Sequence, residues 1–382
     1  MSDLKKMYST LQQDPFPEEM RLTLGDQELV FHKRTWRIGD ETLGLRYGEN
    51  PDQPAALYEL KEGGLSVGGV AFRGPGKGLV SALTEEHMIQ SGKHPGKINL
   101  TDVDNGLNIL QYLSAKPAAV ILKPTAEHID SAYFEVVAAP DYESGAVDIL
   151  KKRKNLRILR IPGIADLAGL SREPFLDVKS LMDGGVVLQF SFRNRILDAA
   201  DFIPATAEKD GNHFAARKPT KAEAEDLLFA WAVEAGVTSN SILMVRDGVT
   251  TAIGTGEQDR VGCVDLTIAK AHTKYADLLA FRELNLSIYE LRLKARDDKA
   301  LAQKLADIEA RASEARGGLP GSAAVSDGFF PFRDGVDLLI ASGVTAIAQP
   351  GGSIRDFEVI QAVNEAAPQV AMVFTGQRSF RH

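Results

Sequence analysis

Short β-branched apolar runs alternate with stretches of helical periodicity along this chain, and that alternation limits its fold more than any other feature. Ala118–Leu122, Leu156–Ile161, Val186–Phe190, Ser241–Val245, Thr251–Ile253, Val336–Ile340 and Ala346–Ala348 read as strands, several of them followed by Gly or Pro. Ala222–Ala235 and Asp356–Ala367 carry apolar residues at helical spacing. The pattern predicts an α/β protein. At 382 residues the chain exceeds what one hydrophobic core usually serves, so two domains are expected.

Between Ala205 and Pro219 the sequence turns polar, and Thr220 is placed to cap the helix that follows, with Glu223 completing a capping box. The domain boundary is expected there, giving domains 1–204 and 205–382. Tyr275–Arg316 is rich in Ala, Leu and charged residues and contains no proline, which predicts one or two long helices ended by Gly317-Gly318-Leu319-Pro320-Gly321.

Composition then removes whole classes of function. A net charge of −8 argues against nonspecific nucleic-acid binding, which depends on a basic surface. A small anion needs only a few arginines and backbone amides, so it stays possible. No apolar run reaches the roughly 18 residues of a membrane span. Met1–Pro15 has no apolar stretch behind its lysines, so no secretory signal is read and the cytoplasm is the expected location. The single cysteine, Cys263, excludes an internal disulfide and a zinc site of paired thiolates.

Four clusters put charged residues or glycines where strands are expected to end, the place where open α/β sheets collect ligands. Leu45-Arg46-Tyr47-Gly48-Glu49-Asn50-Pro51 can offer a guanidinium fork and a phenol to a phosphate, and equally reads as a surface turn. Thr238-Ser239-Asn240-Ser241 is followed by Gly254-Thr255-Gly256-Glu257-Gln258-Asp259-Arg260, whose amides could approach a ligand closely; alone, this glycine spacing also fits a hairpin turn. Ser326-Asp327-Gly328-Phe329-Phe330-Pro331-Phe332 sets an aromatic run beside an acid. The fourth cluster joins Gln349-Pro350-Gly351-Gly352-Ser353-Ile354-Arg355-Asp356 to the C-terminal Phe374-Thr375-Gly376-Gln377-Arg378-Ser379-Phe380-Arg381-His382, where an apolar strand suggests a docked end.

Each motif is weak alone, but their joint order closely resembles the transformylase portion of the bifunctional aminoimidazole-carboxamide ribotide (AICAR) transformylase/IMP cyclohydrolase family, over about Leu43 to His382. Met1–Asp40 is too short for the preceding cyclohydrolase domain, so a monofunctional chain is expected. The resemblance implies two cytidine-deaminase-like domains, each a mixed sheet flanked by helices, and a homodimer with sites at its interface. It implies AICAR as substrate and 10-formyltetrahydrofolate as formyl donor. Arg46, Tyr47 and Arg378 are then expected at the ribotide and its phosphate, Asn240, Arg260 and Phe329 at the aminoimidazole carboxamide, and Glu135 at a further acidic substrate position. Asn240 is also expected to take part in catalysis. Ser239, Ser241, Asp327 and His382 match the family's potassium neighbourhood. A zinc-dependent deamination is disfavoured, because the Cys-x-x-Cys and His-x-Glu ligands that activate water are missing.

Lys123, after the apolar run Ala118–Leu122, matches the family's catalytic lysine. A cation there suits the chemistry, since the AICAR amine is conjugated with an electron-poor ring and its tetrahedral intermediate lies high in energy. The family follows this lysine with a histidine and several dozen further residues, whereas Lys123 here precedes Pro124-Thr125-Ala126-Glu127-His128-Ile129. A mobile loop omitted from the chain as read, an excision and a natural deletion would each leave this junction. The omitted loop is the expectation, and His128 is not expected to replace the missing general base. A true deletion would favour a catalytically weakened ribotide-binding protein instead.

Overall fold

The computed structural model describes residues 17–24, 27–33, 35–38, 41–44, 55–62, 88–90, 120–131, 134–162, 176–180, 186–190 and 194–379. The chain divides into two compact units, Met1–Arg193 and Asn194–His382. Described elements of the first unit are β1 (Glu19–Leu24), β2 (Gln27–Lys33), β3 (Thr35–Ile38), β4 (Glu41–Gly44), β5 (Ala55–Glu62), β6 (Met88–Gln90), α1 (Lys123–Asp130), β7 (Val136–Ala139), α2 (Ala146–Lys151), β8 (Arg157–Arg160), β9 (Leu176–Ser180) and β10 (Val186–Phe190). β1, β2, β5, β10 and β9 form an antiparallel sheet in that order, β3 and β4 pair as a hairpin, and β8 lies between antiparallel β6 and parallel β7.

Around β7 and β8 a small core gathers Ala126 of α1, Ala146 and Leu150 of α2, and Val137, Ala139, Leu156 and Ile158. This packing corrects the sequence expectation at Lys123. Of the run Ala118–Leu122, residues 118 and 119 lie outside the described residues, and Ile121 makes only an isolated parallel bridge to Tyr142. Lys123 does not end a strand: it opens α1, and Pro124 occupies the first turn, where its missing N–H costs nothing. No side chain of the N-cap residue Leu122 caps this end; Glu143 Oε2 instead accepts the Lys123 N–H at 2.8 Å. Lys123 and Pro124 are consecutive residues of α1.

The second unit comprises β11 (Ile203–Pro204), β12 (Thr206–Glu208), β13 (Asn212–Phe214), α3 (Lys221–Glu234), β14 (Ile242–Arg246), β15 (Val249–Gly254), α4 (Arg260–Leu284), α5 (Ile288–Lys294), α6 (Lys299–Glu314), β16 (Ala323–Ser326), α7 (Asp334–Ser342), β17 (Ala346–Gln349), α8 (Asp356–Glu365) and β18 (Ala371–Phe374). Its main sheet runs β11-β18-β17-β16-β14-β15. β16, β17 and β18 are parallel, while β11, β14 and β15 run antiparallel to their neighbours, so the sheet is mixed. β14, β16, β17 and β18 are apolar and buried along nearly their whole length, as in a sheet covered on both faces. Ile242 and Met244 of β14 share a core with Cys263 and Val264 of α4, Val336 and Leu339 of α7, and Val359 and Val363 of α8. α3 packs against β14, β16 and β17 from the opposite face.

The α3 terminus forms as its sequence predicts: Thr220 Oγ1 accepts from the Glu223 N–H at 3.3 Å, and Glu223 Oε2 accepts from the Thr220 N–H at 2.8 Å. Val336–Ile340, expected as a strand, is helix α7; an acidic first turn and Gly343 at its left-handed C-terminus (φ 94°) outweigh the β-branched run. Tyr275–Arg316 holds the end of α4 and two further helices rather than one or two long ones. Asn285 in the left-handed region ends α4, and the side chains of Ser287 and Asp298 cap the next two. The unit division falls before the expected 204/205 boundary, and β11 pairs with β18 inside the second unit.

Candidate functional site

Three chain segments of the second unit meet at one end of β14 and β16. The first is 239–241, which leads into β14 and contains a cis peptide between Ser239 and Asn240. The second is the first turn of α4, where Asp259 caps the helix by accepting the Gly262 N–H at 2.6 Å and so places Arg260 at its first position. The third is Asp327, directly after β16.

Asp327 and Arg260 make a buried ion pair, Asp327 fully enclosed and Arg260 nearly so. Asp327 Oδ1 accepts from Arg260 Nη1 and, at 3.1 Å, from the Ser241 N–H, while Oδ2 accepts from Ser239 Oγ. The guanidinium also donates to the Ser241 carbonyl at 2.9 Å and to Asn240 Oδ1 at 2.9 Å. Asn240 Nδ2 donates to the Glu257 carbonyl at 2.9 Å. Both ends of the Asn240 amide are therefore held, with the residue only partly buried. Orientation of the amide follows from its partners: the carbonyl must face the donor-only guanidinium.

One member of this network was not foreseen. Glu234, the last residue of α3, is fully buried, and its Oε1 accepts from Ser241 Oγ. Burial, and after it the nearby Asp327 charge, pushes the Glu234 carboxyl well above the usual carboxylate range. Its other oxygen, Oε2, is buried with no hydrogen-bond partner among the described residues. The sequence signal was available: Leu227, Ala230, Trp231 and Glu234 stand at i, i+3, i+4 and i+7, which puts an acid on the apolar stripe of a helix.

Next to the network, the Arg378 guanidinium lies 5.0 Å from the centre of the Phe329 ring, and a second pair, Arg355 over Phe332, lies at 4.8 Å. The Ser379 N–H donates to the Asp327 carbonyl at 2.9 Å, which docks the C-terminal segment onto the site. The structure thus brings together Ser239, Asn240, Ser241, Arg260, Asp327, Phe329 and Arg378. Lys123 and Glu135 belong to the first unit, where both are exposed. The Lys123 stem lies against Gly145, where an added Cβ would come within 2.9 Å of Cε. Arg46, Tyr47 and His382 lie outside the described residues.

Of the two glycines in Gly254-Thr255-Gly256, Gly254, the last residue of β15, serves packing instead of a ligand. A Cβ there would meet Thr267 Oγ1 at 2.1 Å and the Cys263 carbonyl at 2.8 Å, so only glycine lets β15 approach α4. Cys263 Sγ lies 3.2 Å from the Asn240 carbonyl, and burial pushes its thiol up to about 12. For a cation, the donor set of Ser239, Ser241, Asp327 and Glu234 fits in kind: hard oxygens, one of them buried and left over. Among the described residues no group of three or more His, Cys, Asp or Glu is arranged to hold a metal ion. No helix among the described residues is long and apolar enough to cross a membrane.

Sequence comparison adds an independent line. The profile of the AICARFT/IMPCHase bienzyme matches residues 20–125 and 122–270, two stretches that meet at the Lys123–Pro124 junction. The chain is similar to the bifunctional purine biosynthesis protein PurH of Magnetococcus marinus, with 29% identity over 381 residues covering 89% of this chain and 59% of that protein. The corresponding proteins of Dictyostelium discoideum (30% identity, 88% of this chain, 57% of that protein) and Acidithiobacillus ferrooxidans (32%, 88% and 58%) are comparable. The chain spans somewhat under three-fifths of the length of these curated relatives.

Proposed function

Because the chain belongs to the AICARFT/IMPCHase bienzyme family, we propose that it transfers the formyl group of 10-formyltetrahydrofolate to the 5-amino group of AICAR, giving formyl-AICAR in purine biosynthesis. The observation that carries this reading is the convergence of Asn240, Arg260, Phe329 and Arg378 on one end of the second unit's sheet. In the transfer, the amine nitrogen bonds to the formyl carbon, the bond from that carbon to N10 of the folate breaks, and one proton passes from the amine to the departing nitrogen. The carbonyl oxygen carries negative charge in between. Asn240, held by Arg260 and Glu257, offers an amide fixed in direction, and such preorganised dipoles lower the barrier most. Lys123 supplies the cation for the developing oxyanion. Arg378, exposed beside Phe329, takes the ribotide phosphate together with Arg46 and Tyr47, and Glu135 serves as the further acidic substrate contact.

The same reading takes each unit as a cytidine-deaminase-like domain and the working form as a homodimer in the cytoplasm. It places a potassium ion at Ser239, Ser241, Asp327 and His382, where it would supply fixed positive charge beside the network. A second reading, binding of the ribotide without turnover, is favoured by one observation. The family match breaks at residues 122–125, and α1 begins there directly, without the family's histidine segment.

A spectrophotometric assay of tetrahydrofolate release separates the two. With AICAR and 10-formyltetrahydrofolate the protein is expected to turn over, and Lys123→Ala and Asn240→Ala each to lose roughly 10²–10³-fold in kcat. AICAR binding with no formylated product from any formyl donor would leave only the binding protein.

A further inference from the structure

We propose that Glu234 is a positioning residue: through Ser241 it fixes the 239–241 segment that carries Asn240. The proposal rests on the functional reading above for its consequence and on geometry alone for its cause. Glu234 closes α3, and its Oε1 receives the Ser241 hydroxyl. The same residue, Ser241, donates its N–H to Asp327 and accepts Arg260 Nη1 on its carbonyl at 2.9 Å. Arg260 Nη2 in turn holds Asn240 Oδ1 at 2.9 Å. One side chain thus anchors the residue on which the orientation of both Arg260 and Asn240 depends.

Stability does not account for an acid at this position. Glu234 sits on the stripe of Leu227, Ala230 and Trp231, all fully buried, where leucine would pack without an unsatisfied oxygen. A buried polar atom with no partner is destabilising, and apolar replacements of buried polar groups are often neutral or stabilising. Retaining the carboxyl makes sense if its contact with Ser241 serves the site. The groups facing it are Ser241, Asp327 and Arg260, all of them members of that site.

Glu234→Leu, Glu234→Gln, Ser241→Ala and the Glu234→Leu/Ser241→Ala pair, all in the full chain, test this. AICAR affinity is read by calorimetry, kcat by the release assay, and segment order by the alkylation rate of Cys263, the only cysteine, whose thiol lies against the Asn240 carbonyl. Glu234→Leu is expected to keep its melting temperature, to lose roughly tenfold or more in AICAR affinity or kcat, and to label at Cys263 roughly tenfold faster. Glu234→Gln keeps an acceptor for Ser241 and should stay near wild type on all three. The double variant should be no worse than the poorer single one, because both act through one contact. A folded Glu234→Leu protein with wild-type affinity, kcat and Cys263 labelling overturns the proposal. If that variant does not fold, Ser241→Ala decides by the same three readouts. Wild-type protein without formylation defeats the functional reading alone, since Cys263 labelling still reports whether Glu234 holds the segment.

Discussion

Asn240 shows how a side chain on a loop acquires a fixed direction. Its oxygen faces Arg260 and its nitrogen faces the Glu257 carbonyl, so rotating the amide would break both bonds. The cost of that order is carried by a buried ion pair, Arg260 with Asp327, that satisfies four backbone and side-chain groups besides itself. Beneath this loop lies Cys263, fully buried, its thiol pushed up to about 12 by burial. At pH 8 it is almost entirely protonated as well as inaccessible. Iodoacetamide should therefore modify the native protein at pH 8 no faster than the chain unfolds, and adding urea through the unfolding transition should release the free-thiol rate. Rapid labelling of native protein would mean that the 239–241 segment does not cover the sulfur. The motif residues of this site were legible in sequence because SNS, GTGEQDR and SDGFFPF occur in order. The bonds among them were not, since the pairing of Arg260 with Asp327 joins residues far apart in the chain and only the sheet brings them together.

At the level of elements, termini decided more than interiors. α3 was readable because Thr220 and Glu223 spell its start. α7 was misread because VDLLI is short and apolar, a composition shared by buried strands and helices, and only Asp334 and Gly343 at its ends distinguish them. The hairpin β12–β13 hid in a polar stretch whose turn, Lys209-Asp210-Gly211, places two residues at positive φ. The α3 cap also sets a pH dependence. Burial alone would raise the Glu223 carboxyl, but hydrogen bonds from Arg217 at 2.7 and 2.9 Å and from the Thr220 N–H prevail, holding it at about 2 against an ordinary 4.5. A depressed folded value contributes stability that is complete above about 4.5 and is lost as pH falls towards 2. Glu223→Gln keeps the shape of the capping box without the charge. It should lower the urea midpoint at neutral pH and flatten the decline between pH 4.5 and 2; an unchanged acid limb would show that another carboxylate controls it.

The whole molecule poses the question of where one folding unit ends and the next begins. The polar stretch 205–219 looked like a linker, because a run without apolar periodicity gives no sign of what its ends are tied to. In the structure both of its ends are held: β11, just before it, pairs with β18, the last described strand, and Arg217, near its end, reaches the Thr345 and Gln369 carbonyls and Glu223. Further upstream, Asn194 Oδ1 accepts the indole N–H of fully buried Trp231 at 2.9 Å, and Asn194 Nδ2 donates to the Ile196 carbonyl at 3.0 Å. Residues 194–204 thus complete the core of the second unit. The chain has two tryptophans, Trp36 and Trp231, so a fragment of the second unit reports on Trp231 alone. A fragment 194–382 is expected to unfold cooperatively in urea with blue-shifted native emission, since a chain of this size can bury a core of its own. A fragment 205–382 leaves the indole N–H without its partner, a loss of roughly 1–3 kcal/mol, and strips β11 from the sheet edge. Its midpoint should fall below that of the longer fragment, and its Trp231 emission should move to the red. Equal midpoints and equal emission would put the division at 204/205, with Asn194 a surface adornment instead of part of the core.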